Sequence, residues 1–318
     1  MARMDLRVRV LGRLLGRLSV SSMDEERIRK AQSTAIPHNP VTDLLLGGVA
    51  RGVRLTDGTA RGEVGPVPVR TYHPERADGG PLPLVVNFHG GGWTLGNLDS
   101  ADWLCSNVAA TVGAVVVSVD YRLAPGHRWP AAAEDCYAAL TDVVARAGEF
   151  GADPSRVAVM GDSAGGNLAA VVSLMSRDRG GPRLAHQGLV YPSVDLTMSA
   201  PSIDENASAP ILTKADCLAF RDHYLGGQDP HHPHASPLFA DDHSGLPPAL
   251  VQVAEHDPIR DDGTRYAAAL KRAGVPVRLT GYVGMPHGFL AFPRLCRSAP
   301  QALAELCGEQ ARALAVPG

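Results

Sequence analysis

The chain is organised around the stretch Val157-Ala158-Val159-Met160-Gly161-Asp162-Ser163-Ala164-Gly165-Gly166-Asn167-Leu168. Its first four residues are apolar and mostly β-branched, the pattern of a buried strand. Gly161 to Gly165 then form a G-x-S-x-G box, and Gly166 to Met175 is a helix former. A serine at such a strand-to-helix turn is held in a strained backbone conformation, with its Oγ projecting above the sheet. Glycines two before and two after it are required because side chains there would collide across the turn.

A second motif lies upstream. Leu84-Val85-Val86-Asn87-Phe88 is another apolar strand pattern and runs directly into His89-Gly90-Gly91-Gly92-Trp93. Consecutive glycines after a strand let backbone N–H groups come close to a ligand oxygen. An oxyanion hole needs such donors to stabilise charge that develops in the transition state.

With both motifs in place, the chain resembles the hormone-sensitive-lipase-like carboxylesterases of the α/β-hydrolase fold, whose HGGG-plus-elbow arrangement this is. The resemblance runs from about Leu82 to Phe289. It includes Asp120-Tyr121-Arg122-Leu123-Ala124-Pro125, Tyr191-Pro192, Ser236-Pro237-Leu238, Leu246-Pro247-Pro248-Ala249, Asp257-Pro258-Ile259-Arg260-Asp261 and His287-Gly288-Phe289. Gly126 departs from the family, which usually carries an acidic residue there.

A serine hydroxyl needs a base to take its proton, and the base needs an orienting carboxylate. In this fold the order along the chain is Ser, acid, His, so the partners must follow Ser163. Ala249 to Ala254 reads as a buried strand and delivers Asp257 at its carboxyl end, where open α/β sheets place their chemistry. Asp261 and Asp262 lie in the next helix's first turn, where acidic residues favour the positive helix terminus. The resemblance agrees on Asp257. Of twelve histidines only His287 follows it, in a loop past the last strand. His89 precedes the serine, so it is expected to brace the oxyanion loop together with Gly90. The cluster Asp229-Pro230-His231-His232-Pro233-His234 has two prolines and no cysteine, which argues against a zinc site.

The rest of the body alternates strand and helix. Strands are predicted at Val67–Tyr72, Leu84–Phe88, Ala114–Val119, Val157–Met160, Gly188–Tyr191, Ala249–Ala254 and Val275–Tyr282. Helices fit Ala101–Ala110, Pro130–Ala147, Ala164–Arg177, Asp261–Ala273 and Pro300–Ala315. This rhythm implies a mostly parallel sheet with helices on both faces. Thr197 to Gly226 interrupts it with a polar stretch and a helix-like run from Lys214 to Tyr224, a cap insertion. The expected organisation is N-terminal cap helices at 1–45, a core at 46–196 and 227–318, and the insertion at 197–226.

A chain of 318 residues is long enough for one such domain. The formal charge of −3 excludes a strongly basic nucleic-acid surface. Five cysteines, with no C-x-x-C pair, read as free thiols in a reducing compartment, the cytoplasm. Met1 to Val20 carries Arg3, Arg7, Arg9, Arg13 and Arg17 among apolar residues, and Met23 to Gln32 is charge-rich. Arginines interrupt the apolar core that a signal peptide needs. A cap helix is favoured over contact with anionic membrane, and a homodimer stays open.

The reading is therefore a carboxylic ester hydrolase for short-to-medium acyl chains that needs no metal or organic cofactor. Ser163 is the nucleophile, His287 the base and Asp257 its orienting acid, with N–H groups of Gly91, Gly92 and Ala164 holding the oxyanion. An amidase or formamidase using the same triad is the alternative. A non-catalytic small-molecule receptor or an interaction protein would have no reason to keep all these groups.

Overall fold

Every residue of Leu82–Phe88 is buried, and the side chains alternate between two cores: Leu84, Val86 and Phe88 face one, Val85 the other. A strand covered on both faces has no polar side to present, hence its continuous apolar run. The computed structural model describes residues 4, 7–9, 12, 19–75 and 79–315. Its strands are β1 (Val53–Arg61), β2 (Pro66–Pro74), β3 (Leu82–Phe88), β4 (Val115–Val119), β5 (Ala152–Asp162), β6 (His186–Val190), β7 (Ala249–His256) and β8 (Val277–Pro286). They form one 8-stranded sheet in the order β1-β2-β4-β3-β5-β6-β7-β8. β1 and β2 run antiparallel to their neighbours, and all pairings from β4 to β8 are parallel.

Helices α1 (Glu25–Gln32) and α2 (Pro40–Leu46) precede the sheet. They are followed by α3 (Leu98–Val108), α4 (Ala131–Ala145), α5 (Ala164–Asp178), α6 (Pro201–Glu205), α7 (Lys214–Leu225), α8 (Arg260–Arg272) and α9 (Ala299–Ala313). Side chains of α4, α5 and α8 join the first core, which holds Leu140, Leu168 and Tyr266. Those of α3 and α9 join the second, with Leu104, Val108 and Leu306. The sheet is thus covered on both faces. A smaller cluster of Ala200, Ile203, Leu212, Cys217 and Ile259 belongs mainly to the insertion between β6 and β7.

The expected strands and helices are present with bounds shifted by a few residues. One strand escapes the sequence reading. β1 is an edge strand in which Ala60 alone is buried, so it shows no apolar alternation to recognise. The polar stretch of the insertion also contains a short helix, α6, opened by Pro201.

Much of the arginine-rich segment, including Arg3, Arg13 and Arg17, lies outside the described residues. Within it, Val8 is buried in the second core, and a Cβ on Gly12 would stand 2.0 Å from Pro210 Cβ, against the insertion. No helix among the described residues is long and apolar enough to cross a membrane. The five cysteines are buried, and none of them forms a disulfide.

Candidate active site

Four strands end immediately before the residues singled out from sequence: β3 before His89, β5 before Ser163, β7 before Asp257 and β8 before His287. All four are parallel, so their carboxyl ends deliver these groups to one edge of the sheet. Ser163 is the single residue between β5 and α5, at φ 55° and ψ −117°. Such a backbone costs roughly 1–3 kcal/mol and persists only where its surroundings enforce it. Here its N–H donates to Val190 O at 2.9 Å, and the flanking glycines leave no slack. A Cβ on Gly161 would lie 2.2 Å from Gly165 O, and one on Gly165 only 1.9 Å from Phe88 O.

His287 Nε2 lies 2.8 Å from Ser163 Oγ, and its Nδ1 lies 2.8 Å from Asp257 Oδ2. The other carboxylate oxygen of Asp257 accepts the Ile259 N–H at 2.9 Å, and the side chain is fully buried. The Tyr191 ring packs on the imidazole at 4.8 Å between centroids. The structure thus brings Ser163, His287 and Asp257 into one continuous hydrogen-bonded row.

Asp261 and Asp262 stand apart from that row, in the first turn of α8 as expected, and both also reach tertiary partners. Asp262 is buried, and its Oδ2 accepts the N–H groups of Val194 and Asp195 at 3.1 and 3.0 Å. Asp261 accepts the Ser202 N–H at 3.1 Å. Together they tie α8 to the segment after β6 and to α6, a role that depends on tertiary neighbours.

The glycine loop is held from several sides. Gly90 N–H donates to Asp162 Oδ1 at 2.9 Å, and Gly91 O accepts the Leu95 N–H at 2.8 Å. Gly91 and Gly92 have φ of 120° and 61°. His89 stacks on Tyr121 at 4.3 Å, donates from Nδ1 to Gly90 O at 2.8 Å, and offers its own carbonyl to Tyr121 O–H. Burial lowers the His89 pKa to about 4, so the ring is neutral and serves as a brace. From the N-terminal side, Gln32 at the end of α1 donates to Thr94 O and Ala124 O. At Gly126 there is open space, since a Cβ would meet only Leu123 O, at 3.7 Å.

Above Ser163 is a cavity of about 220 Å3 whose walls include Gly91, Gly92, Ala164, Met198, Ile211 and Phe220. The N–H of Ala164, first in α5, has no partner within the helix. A second cavity, of about 150 Å3, shares Asp162 with the first and is walled by α2, α3 and Tyr191. Its α2 wall is fixed by His38, whose Nε2 lies 2.8 Å from buried Asp102 and whose Nδ1 lies 3.2 Å from Asp43. Asp102 also takes hydrogen bonds from Arg70 and Tyr72. Positive φ at non-glycine residues is confined, among the described residues, to Trp93, Ser163, Tyr191, Met198 and Ile211, all on these cavities. The histidine cluster lies elsewhere: His232 packs on Trp129 and His231 pairs with Asp229. Sequence reasoning missed Asp162 as a clamp, although it sits inside the serine box.

A strained serine in line with an imidazole and a buried carboxylate, at the carboxyl edge of this sheet, is the hallmark of a serine hydrolase. Residues 85–291 match the alpha/beta hydrolase fold family. The chain is 48% identical over 240 residues to carboxylesterase NlhH of Mycobacterium tuberculosis, covering 74% of this chain and 75% of that one. It is 34% identical over 275 residues to an arylesterase of Saccharolobus solfataricus, covering 86% and 85%. Among solved structures it is similar to a hyperthermophilic esterase from the archaeon Pyrobaculum calidifontis, with TM-score 0.88, 39% identity and coverage of 99% and 100%. The chain belongs to the α/β-hydrolase family, among the hormone-sensitive-lipase-like carboxylesterases.

Proposed function

We propose that the protein hydrolyses carboxylic esters of short-to-medium acyl chains, roughly C4 to C8, by the row Ser163–His287–Asp257. The single observation that carries this reading is the pair of 2.8 Å contacts from His287 to Ser163 Oγ and to Asp257 Oδ2. His287 takes the hydroxyl proton as Oγ forms a bond to the ester carbonyl carbon. The carbonyl oxygen becomes an oxyanion held by the N–H groups of Gly91, Gly92 and Ala164. Asp257 keeps the imidazole in the tautomer that accepts at Nε2 and stabilises the imidazolium. The tetrahedral intermediate collapses, the C–O bond to the alcohol breaks, and His287 protonates the leaving alkoxide. Water then attacks the acyl-enzyme by the same route, releasing the acid.

A cavity with Met198, Ile211, Leu212 and Phe220 of the insertion on its wall supports this acyl range. We take residues 1–45 and 197–226 as the cap over the core at 46–196 and 227–318. Five buried cysteines, none of them in a disulfide, favour the cytoplasm.

A p-nitrophenyl ester series of increasing acyl length, run on the wild type and on Ser163→Ala, tests this. The wild type should peak between C4 and C8, and matched amides should turn over far more slowly. The variant should lose on the order of 10⁶ in kcat, as loss of the nucleophile does in other triad hydrolases, while staying folded. Residual activity within tenfold of wild type would remove Ser163 from the mechanism.

A further inference from the structure

The oxyanion loop owes its shape to the cap as well as to the sheet. Helix α7 carries Asp216, Phe220 and Tyr224 at four-residue spacing, and therefore on one face. The Phe220 ring occupies the space a side chain at position 92 would need: a Cβ on Gly92 would stand 2.2 Å from its Cδ1. One turn on, Tyr224 stacks flat on Trp93, with ring centroids 4.5 Å apart and planes 5° from parallel. Trp93 is buried at φ 56°, an uncomfortable conformation for a residue with a side chain, and it directly follows Gly92. One turn back, Asp216 Oδ1 accepts from Ser19 Oγ and from the Ser21 N–H at 3.2 Å, while its Oδ2 caps the helix through Thr213. Burial opposes ionisation of Asp216, but the hydrogen bonds from Ser19 and Thr213 outweigh it, and the carboxyl stays below its usual range.

We infer that Tyr224 and Phe220 are positioning residues for the oxyanion hole, pressing the Gly92–Trp93 backbone into its working conformation, and that Asp216 seats α7 for this task by anchoring it to the N-terminal segment. The inference rests on the ester-hydrolase reading above. It makes the cap part of the rate-determining machinery in addition to being a wall of the substrate cavity.

The Tyr224 hydroxyl is buried and, among the described residues, has no hydrogen-bond partner, so Tyr224→Phe keeps the stacked ring and loses nothing. Tyr224→Leu removes the stack. The measurements are kcat per active site titrated with a fluorophosphonate, KM for a short p-nitrophenyl ester, and Ki for a trifluoromethyl ketone. That inhibitor's carbonyl carbon bonds to Ser163 Oγ as the hydroxyl proton passes to His287, leaving an oxyanion in the glycine loop.

Removal of a whole oxyanion donor costs on the order of 10² to 10³ in kcat, so a displaced loop should cost about tenfold to a hundredfold. Tyr224→Leu should show that loss in kcat, a Ki weakened by the same factor and a KM within about twofold of wild type, because the lost interaction exists only in the transition state. Tyr224→Phe should match wild type, and Asp216→Asn and Phe220→Leu should shift kcat and Ki together in the direction of Tyr224→Leu. Unchanged kcat and Ki per titrated site in Tyr224→Leu or, should that variant not fold, in Phe220→Leu would overturn the inference, even with a lower melting temperature. So would a rise in KM with Ki untouched, which would make these rings cavity wall only. A wild type that neither titrates nor turns over esters would instead overturn the functional reading on which this one stands.

Discussion

Replacing Asp257 by asparagine changes one atom and should disable the protein almost completely. In the structure Oδ1 of Asp257 accepts the Ile259 N–H and Oδ2 accepts from His287 Nδ1, at 2.9 and 2.8 Å. Asparagine has one acceptor oxygen for these two donors. If that oxygen stays with the Ile259 backbone, the amide N–H2 faces Nδ1 and forces the imidazole proton onto Nε2, pointing at Ser163 Oγ. An imidazole in that tautomer cannot accept the serine proton. The side chain is fully buried, so no water can restore the missing acceptor. Loss of the orienting carboxylate in the serine-protease triad costs about 10⁴ in kcat, equivalent to about 5.4 kcal/mol of transition-state stabilisation. A similar loss is expected here with KM nearly unchanged, read from initial rates on a soluble short ester. Asp261→Asn makes the comparison sharp. It sits four residues on and touches Ser202 and Arg260, so it should cost about 1 kcal/mol of stability and less than tenfold in rate. A larger kcat loss at Asp261 than at Asp257 would refute the reasoning.

The strained elbow predicts that Gly165→Ala loses about 3 kcal/mol or more in urea unfolding, because its Cβ would meet the Phe88 carbonyl at 1.9 Å; a cost under about 1 kcal/mol would mean that the turn relaxes freely. His38 has its pKa raised from 6.5, chiefly by its hydrogen bond to Asp102 and further by Asp43, with burial opposing. Its contribution to stability is therefore fully present below about pH 6.5 and fades as pH rises through the higher folded value. His38→Asn should lower the melting temperature at about pH 5.5 and converge on wild type by about pH 9; a constant difference across that range would rule out the ionic latch. Deleting residues 1–32 should leave the sheet folded but change kcat/KM and acyl preference, since it removes Gln32 from the glycine loop and Ser19 from α7. Unchanged kinetics combined with lost co-sedimentation on anionic vesicles would make the segment a membrane anchor instead.

The site was legible because its groups are written next to the strands that carry them. A strand pattern running straight into Ser163, Asp257, His287 or His89 fixes both their order and the edge of the sheet from which they project. The three glycines could be placed for the same reason. β1 was illegible because an edge strand with one buried residue carries no hydrophobic signal. The tertiary partners of Asp262 were illegible because a carboxylate at a helix start has a sufficient local explanation, while those backbone partners lie 67 and 68 residues away. The link between Tyr224 and Trp93 and the link between His38 and Asp102 are likewise products of folding. Nothing in either local sequence announces the partner.

The two helices of the insertion grip different halves of the reaction centre. Beside α6, Ser202 Oγ donates to Pro258 O at 2.7 Å and Asn206 to Asp257 O at 3.2 Å, while α7 lies on Gly92 and Trp93. A door must have a free side on which to swing, and these contacts hold the insertion on two sides. Turning it outward as one body would break the bonds at Asp257 and Pro258 and lift two aromatic rings off the glycine loop in the same motion. Hydrolases that wait for an oil–water boundary do so with a hinged flap that stays shut in plain buffer. An insertion fastened to both Asp257 and the glycine loop is expected to stand in its working position there. Under the proposed function, an entrance held this way is expected to screen esters by breadth before any bond is made or broken.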